Sequence, residues 1–212
     1  MVQSGVLLTV VALAGLLAAE SRGWRPGIWI AKPLAATGFL VVAIGAGATG
    51  STYGRWVLLA LALCWLGDVL LIPRRQAAFL GGLVSFLLGH LAYVAAFIAR
   101  GLDPMGVLLA AAPAALAFWL AARWLRGSVP QKMRIPVRAY MTVISVMVVA
   151  AAGTVTREPQ ISIALGALLF YVSDLAVARD RFVAPGVVNK FWGLPLYFGG
   201  QLLLALSTAL LE

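Results

Sequence analysis

The sequence predicts an all-α, polytopic membrane protein built as a bundle of eight helices, and three observations carry that expectation. Hydrophobic residues make up 63% of the 212 and charged ones only 11%, far from the usage of a soluble domain. The apolar residues gather into eight runs near the roughly 17–25 residues that one crossing requires. Basic residues, finally, alternate between rich and poor connections along the chain. All connections are short, so residues 1–212 form a single integral membrane domain.

The first run (5–20) lacks a positive n-region and a small-residue cleavage site, which predicts a retained helix rather than a signal peptide. The second (31–48) opens on Lys32-Pro33, and a proline suits the first turn of a helix. The third (56–72) closes on CWLGDVLL, with Asp68 inside it. The fourth (78–99) carries His90 near its middle, and the fifth (105–123) is almost wholly apolar. The sixth (137–153) opens with Arg138 and Tyr140, the seventh (161–178) holds Asp174, and the eighth (190–211) follows Asn189. The runs are apolar on nearly every face, as expected where lipid or other helices cover them. They lack the alternation of barrel strands, so satisfying the backbone in hydrocarbon requires helices.

Orientation follows from the charges. The connections after runs one, three, five and seven hold 13 basic residues, Arg74, Arg138 and Lys190 among them, whereas the other connections hold Arg55, Arg100 and Arg157. By the positive-inside rule the rich loops face the cytoplasm and both termini lie outside, in what reads as a bacterial cytoplasmic membrane. The net charge of +9 therefore reports topology and contact with anionic lipid rather than nucleic-acid binding. Tryptophans 24, 29, 56, 124 and 192 lie near the expected interfaces and read as belt residues. Cys64 is the only cysteine and His90 the only histidine, which excludes an intrachain disulfide and the multi-imidazole set of a hydrolytic zinc site. No metal or cofactor is expected.

A repeat is visible within the chain. CWLGDVLL (64–71) and FYVSDLAV (170–177) each place an aromatic residue, Trp65 or Tyr171, three positions before an aspartate and a small residue just before it. The following runs also correspond, with Phe86, Gly89 and His90 against Tyr197, Gly200 and Gln201. An even number of crossings separates the copies, which points to a parallel four-plus-four arrangement with halves 1–104 and 105–212. Asp68 then lies roughly 9 Å before Arg74 and Asp174 about 8 Å before Arg179 along their helices, at matching depth near the cytoplasmic side.

A carboxylate at membrane depth costs on the order of 2.5–3.5 kcal/mol, so it usually faces a partner or a cavity. Two of them at one site repel when both are ionised, which leaves one holding a proton and the other anionic. Such a pair can donate and accept a proton in the same place. The alternative is structural, each aspartate being hydrogen-bonded to helix ends or to Arg74, Arg75 or Arg179. His90, expected away from the depth of the aspartates, either orients a group in the cavity or makes an interhelical hydrogen bond. Lys32, Arg138, Tyr140 and Asn189 gather at the cytoplasmic ends, where cations could hold a phosphate headgroup, or merely set topology. Trp65 and Tyr171 either wall a cavity or pack helices.

Taken together, Lys32-Pro33, LGDVLL around Asp68, FLLGHLAY around His90, Arg138 with Tyr140, and YVSDLA around Asp174 resemble the YhhN-like family, which includes the transmembrane lysoplasmalogenases. The resemblance covers most of the chain and implies an eight-helix hydrolase acting on a lysophospholipid whose chain is joined through a vinyl ether. The products implied are a fatty aldehyde and glycerophosphoethanolamine or glycerophosphocholine. It assigns the catalytic roles to Asp68 and Asp174, and makes Lys32, His90, Arg138, Tyr140 and Asn189 site neighbours. Which aspartate is acid and which is base stays open. The rival reading is a transporter of lysolipid or another small amphiphile with proton-coupling aspartates, against which stands their position near one face rather than the midplane. No serine lies in a G-x-S-x-G context, so a covalent serine route is poorly supported.

Overall fold

Glycine and proline set the limits of the helices in the computed structural model, which describes residues 1–73, 75–155 and 161–209. Arg74 and Arg157, both used in the charge argument, lie outside the described residues. Helix α1 (Val2–Ser21) turns at Gly23 (φ 64) into α2 (Arg25–Gly45), through backbone space that glycine enters without strain. Ser51 caps α3 (Thr52–Leu70) by accepting from the Gly54 amide at 2.9 Å, and α4 (Gln76–Arg100) stops at Gly101 (φ 98). Asp103 caps α5 (Pro104–Leu125) through the Gly106 amide at 3.0 Å. Helices α6 (Arg134–Thr154), α7 (Ile161–Ala178) and α8 (Val188–Leu206) complete the bundle, with a π turn, Arg179–Val183, extending α7.

Helix α2 starts earlier than the apolar run suggests. Pro26 occupies its first turn, so Lys32-Pro33 lies in the helix interior rather than at its start. The apolar run marks only the stretch inside hydrocarbon, and the helix continues beyond it toward the charged end.

The chain packs as sequential hairpins, α1 with α2, α3 with α4, α5 with α6 and α7 with α8. Small residues bring the backbones together, as is usual between membrane helices. Thr9 of α1 donates to the Ala35 carbonyl of α2 at 3.1 Å, and a Cβ on Gly38 would collide with that threonine's hydroxyl oxygen. The core joins Phe39, Tyr93, Phe97, Phe170 and Phe198, all fully buried. Helix α5 is peripheral and exposes Leu108, Leu109 and Leu116, as a lipid-facing helix would. The first seven helices are long and apolar enough to cross a membrane. Helix α8 is the exception. It carries Asn189, Lys190 and Gln201, and it packs against α1, α2, α3 and α7, so protein rather than lipid covers Asn189 and Gln201, both buried.

Candidate active site

Asp68 lies two residues before the end of α3 and meets side chains of α2 and α8. Each carboxylate oxygen has one partner: Lys32 Nζ stands 3.2 Å from Oδ1, and the Tyr197 hydroxyl donates to Oδ2 at 2.6 Å. The residue is only 2% exposed, so the ammonium is its compensating charge. Of the arginines set beside the two aspartates in the structural alternative, Arg179 instead donates to Asn189 Oδ1 at 2.6 Å, Arg75 is exposed and pairs with neither aspartate among the described residues, and Arg74 lies outside the described residues.

Asp174, on α7, has different neighbours. Tyr140 of α6 donates to its Oδ2 at 2.7 Å, and His90 Nε2 stands 4.0 Å from the same oxygen. Among the described residues no lysine or arginine pairs with it. Its side chain keeps 19% exposure.

His90 therefore comes beside an aspartate, although its place in the middle of α4 suggested otherwise. Cα–Cβ bonds tilt toward the N-terminus of a helix. Helix α4 begins at the end of the bundle where α7 finishes, so the imidazole and the Asp174 carboxyl lean toward each other. The ring is fully buried between Tyr140 (centroids 5.1 Å apart) and Phe170 (4.6 Å). Neither of its nitrogens has a hydrogen-bond partner among the described residues.

Both aspartates line one cavity of about 630 Å³. The α1–α2, α3–α4 and α7–α8 turns contribute Gly23, Pro73 and Gly186 to its wall. The lining runs from the exposed Arg25 and Arg181 down to the buried Asp68 and Tyr197. Apolar residues such as Ile28, Leu83, Phe86 and Ile144 form much of the wall between them. An amphiphile could rest its chain on these and carry a polar group to the carboxylates. No group of three His, Cys, Asp or Glu side chains able to hold a metal occurs among the described residues.

The other sequence-predicted residues divide. Lys32, Tyr140, Tyr171 and Asn189 line the cavity with the aspartates. Asn189 also ties the π turn together, donating to Asp180 Oδ1 at 3.2 Å and the Ala184 carbonyl at 2.8 Å, while Lys190 pairs with Asp180 at 3.0 Å. Trp65 turns away and donates from Nε1 to Thr37 Oγ1 at 3.1 Å and to the Pro33 carbonyl at 3.3 Å, joining α3 to α2. Arg138 is exposed and lines a separate groove between α5 and α6. Tyr197 is the partner that sequence reasoning missed, having entered only as the repeat counterpart of Phe86. The added hydroxyl at that position was the available signal.

A sequence model of the YhhN family matches residues 27–208. A lysoplasmalogenase of Mycobacterium bovis is 32% identical over 206 residues, covering 92% of this chain and 74% of the relative. Lysoplasmalogenase TMEM86B of Rattus norvegicus is 33% identical over 79% of this chain and 67% of its own length. Human lysoplasmalogenase TMEM86A is 28% identical over 71% of this chain and 64% of its own. No solved structure matches the chain. With 182 of its 212 residues inside the match and relatives similar over most of its length, the chain belongs to the YhhN family.

Proposed function

We propose that this protein is an intramembrane hydrolase that cleaves the vinyl ether of a lysoplasmalogen, releasing a fatty aldehyde and glycerophosphoethanolamine or glycerophosphocholine. The observation that carries the reading is the pair of carboxylates, Asp68 and Asp174, lining one cavity with an apolar wall. The relatives named lysoplasmalogenase support the substrate class. In this reading the basic end of the bundle faces the cytoplasm, and the headgroup stays at that end while the chain reaches inward.

The two surroundings divide the roles. Lys32 at 3.2 Å balances an anionic Asp68, whereas Asp174 meets a hydroxyl and an imidazole and serves as the proton donor. Asp174 protonates the β carbon of the vinyl ether, leaving an oxocarbenium ion that the Asp68 carboxylate stabilises. Water adds to the carbon bonded to oxygen as Asp68 takes its proton. In the resulting hemiacetal, Asp68 returns that proton to the glycerol oxygen while Asp174 accepts the hydroxyl proton. The C–O bond breaks, aldehyde and alcohol leave, and both aspartates regain their starting states. Tyr140 and Tyr197 hold the two carboxyls in place throughout.

Incubating the purified protein with a defined lysoplasmalogen and with its saturated alkyl-ether analogue tests this. Aldehyde release from the vinyl ether alone is the expected result, because only that bond can be protonated at carbon. Cleavage of neither, together with movement of intact lysolipid across vesicles, would replace the hydrolase with a transporter.

A further inference from the structure

Away from the aspartates, a groove of about 240 Å³ lies between the end of α5 and the start of α6. Arg126, Arg134 and Arg138 all line it, and no acidic residue does. All three side chains are exposed, and among the described residues none pairs with a carboxylate. Among the described residues these side chains make one hydrogen bond, a long one from Arg134 Nε to the Val129 carbonyl at 3.5 Å. Apolar side chains, Leu125, Val129, Val137 and Met141, form the floor. The outer face of α5 beside it exposes Trp119, Leu120 and Trp124, as a surface against lipid would.

We infer that this groove is a binding site for an anionic phospholipid, whose phosphate meets Arg126, Arg134 and Arg138 and whose acyl chain lies along the α5–α6 floor. Guanidinium groups suit this role because they give forked, charge-assisted hydrogen bonds to phosphate oxygens. Basic pockets between membrane helices take anionic headgroups for the same reason. Three uncompensated cations disfavour a zwitterionic lipid, whose own ammonium or choline group would be drawn among like charges. The groove shares Leu125, Val137 and Met141 with the wall of the catalytic cavity. A bound lipid therefore buttresses that wall without entering the cavity. The inference stands independently of the hydrolase reading, since it concerns binding outside the aspartate pair.

Native mass spectrometry of the full chain, released from micelles holding equal amounts of phosphatidylglycerol and phosphatidylcholine, tests the site. Wild type should retain phosphatidylglycerol preferentially. Each arginine beside an anionic headgroup is worth about fivefold in affinity, so R126Q/R134Q/R138Q should lower that retention by about a hundredfold. R123Q/K132Q removes two exposed cations, one from the last turn of α5 and one from the α5–α6 connection, that do not line the groove, and it should keep the preference. Should the triple variant fail to fold, Arg138→Gln alone should cost about fivefold by the same readout. Equal retention of the two lipids by wild type overturns the inference. So does a loss in R123Q/K132Q as large as that in the groove variant, which would make the attraction a general property of this basic end of the bundle.

Discussion

The α3–α4 and α7–α8 hairpins share a backbone frame and differ in what they do with it. A Cβ on Gly89 would stand 3.3 Å from the Ala60 carbonyl oxygen, and one on Gly200 would stand 2.8 Å from that of Gly166. A Cβ on Gly82 would stand 3.3 Å from the Gly67 carbonyl oxygen, and one on Gly193 would stand 3.7 Å from that of Ser173. The carbonyl positions are related by the spacing of Asp68 and Asp174 and the glycines by that of His90 and Gln201, so these two hairpins pack alike. The side chains break the equivalence. Tyr197 of the second hairpin reaches Asp68 of the first, and His90 of the first approaches Asp174 of the second. Gln201, the counterpart of His90, instead accepts from the Tyr93 hydroxyl at 2.6 Å. One frame thus holds two carboxylates in unlike surroundings, one neutralised by a lysine and one not. A proton donor and an anionic partner need that difference, and two identical copies would not supply it.

Replacing each aspartate by asparagine gives the largest expected effect. Removing a general acid or base costs about 10²–10⁴-fold, so aldehyde release should fall about a thousandfold in both D68N and D174N. Stability should separate them. D68N strands the Lys32 ammonium in a buried site, and an uncompensated charge of that kind costs about 3–5 kcal/mol. D174N leaves no cation stranded and should unfold near the wild-type temperature in detergent. Equal destabilisation of the two would mean that the halves are electrostatically alike, and the division of roles would fail.

The lysine offers a sharper version of the same test. K32M leaves the Asp68 carboxylate without its counter-charge, and thermal unfolding should show a loss of the same order, about 3–5 kcal/mol. Combining K32M with D68N removes both charges, so the double variant should be more stable than either single one. If the double variant instead loses the sum of the two, the 3.2 Å contact carries no coupling and Asp68 has another source of compensation.

The features legible in the sequence were those fixed by one chain segment at a time. Apolar runs mark helices, and an aspartate inside such a run marks a polar centre. What escaped depends on how neighbouring helices turn toward one another. Lys32 looked like a helix-start cation available to phosphate, because the apolar run begins beside it, whereas α2 starts seven residues earlier at Arg25 and turns the ammonium onto Asp68. Arg138 looked equivalent by its charge and its place near Tyr140. Two residues on a helix lie on different faces, so Tyr140 meets Asp174 while Arg138 faces the α5–α6 groove. Helix periodicity could have warned of that split, but nearly all-round apolarity hides which face is inward.

The smallest effect concerns His90, the contact in which the two hairpins differ most. A fully buried imidazole with neither nitrogen bonded among the described residues gives up hydrogen bonds that water would provide, so the position calls for a compensating interaction. A shift of about 1 Å would bring Nε2 within hydrogen-bond range of Asp174 Oδ2, letting His90 steady that carboxyl as it loses its proton. His90 is then a positioning residue acting through Asp174. H90L, which removes the donor, should lower turnover about tenfold with little change in KM, the scale of one hydrogen bond to a charged group. H90Q should recover most of that loss, because its amide restores a donor and glutamine already occupies the equivalent place at Gln201. Packing alone predicts another pattern, in which leucine and glutamine are equally damaging and KM rises along with the loss of turnover. That result would reduce His90 to a filler between Tyr140 and Phe170 and leave Tyr140 as the sole support of Asp174.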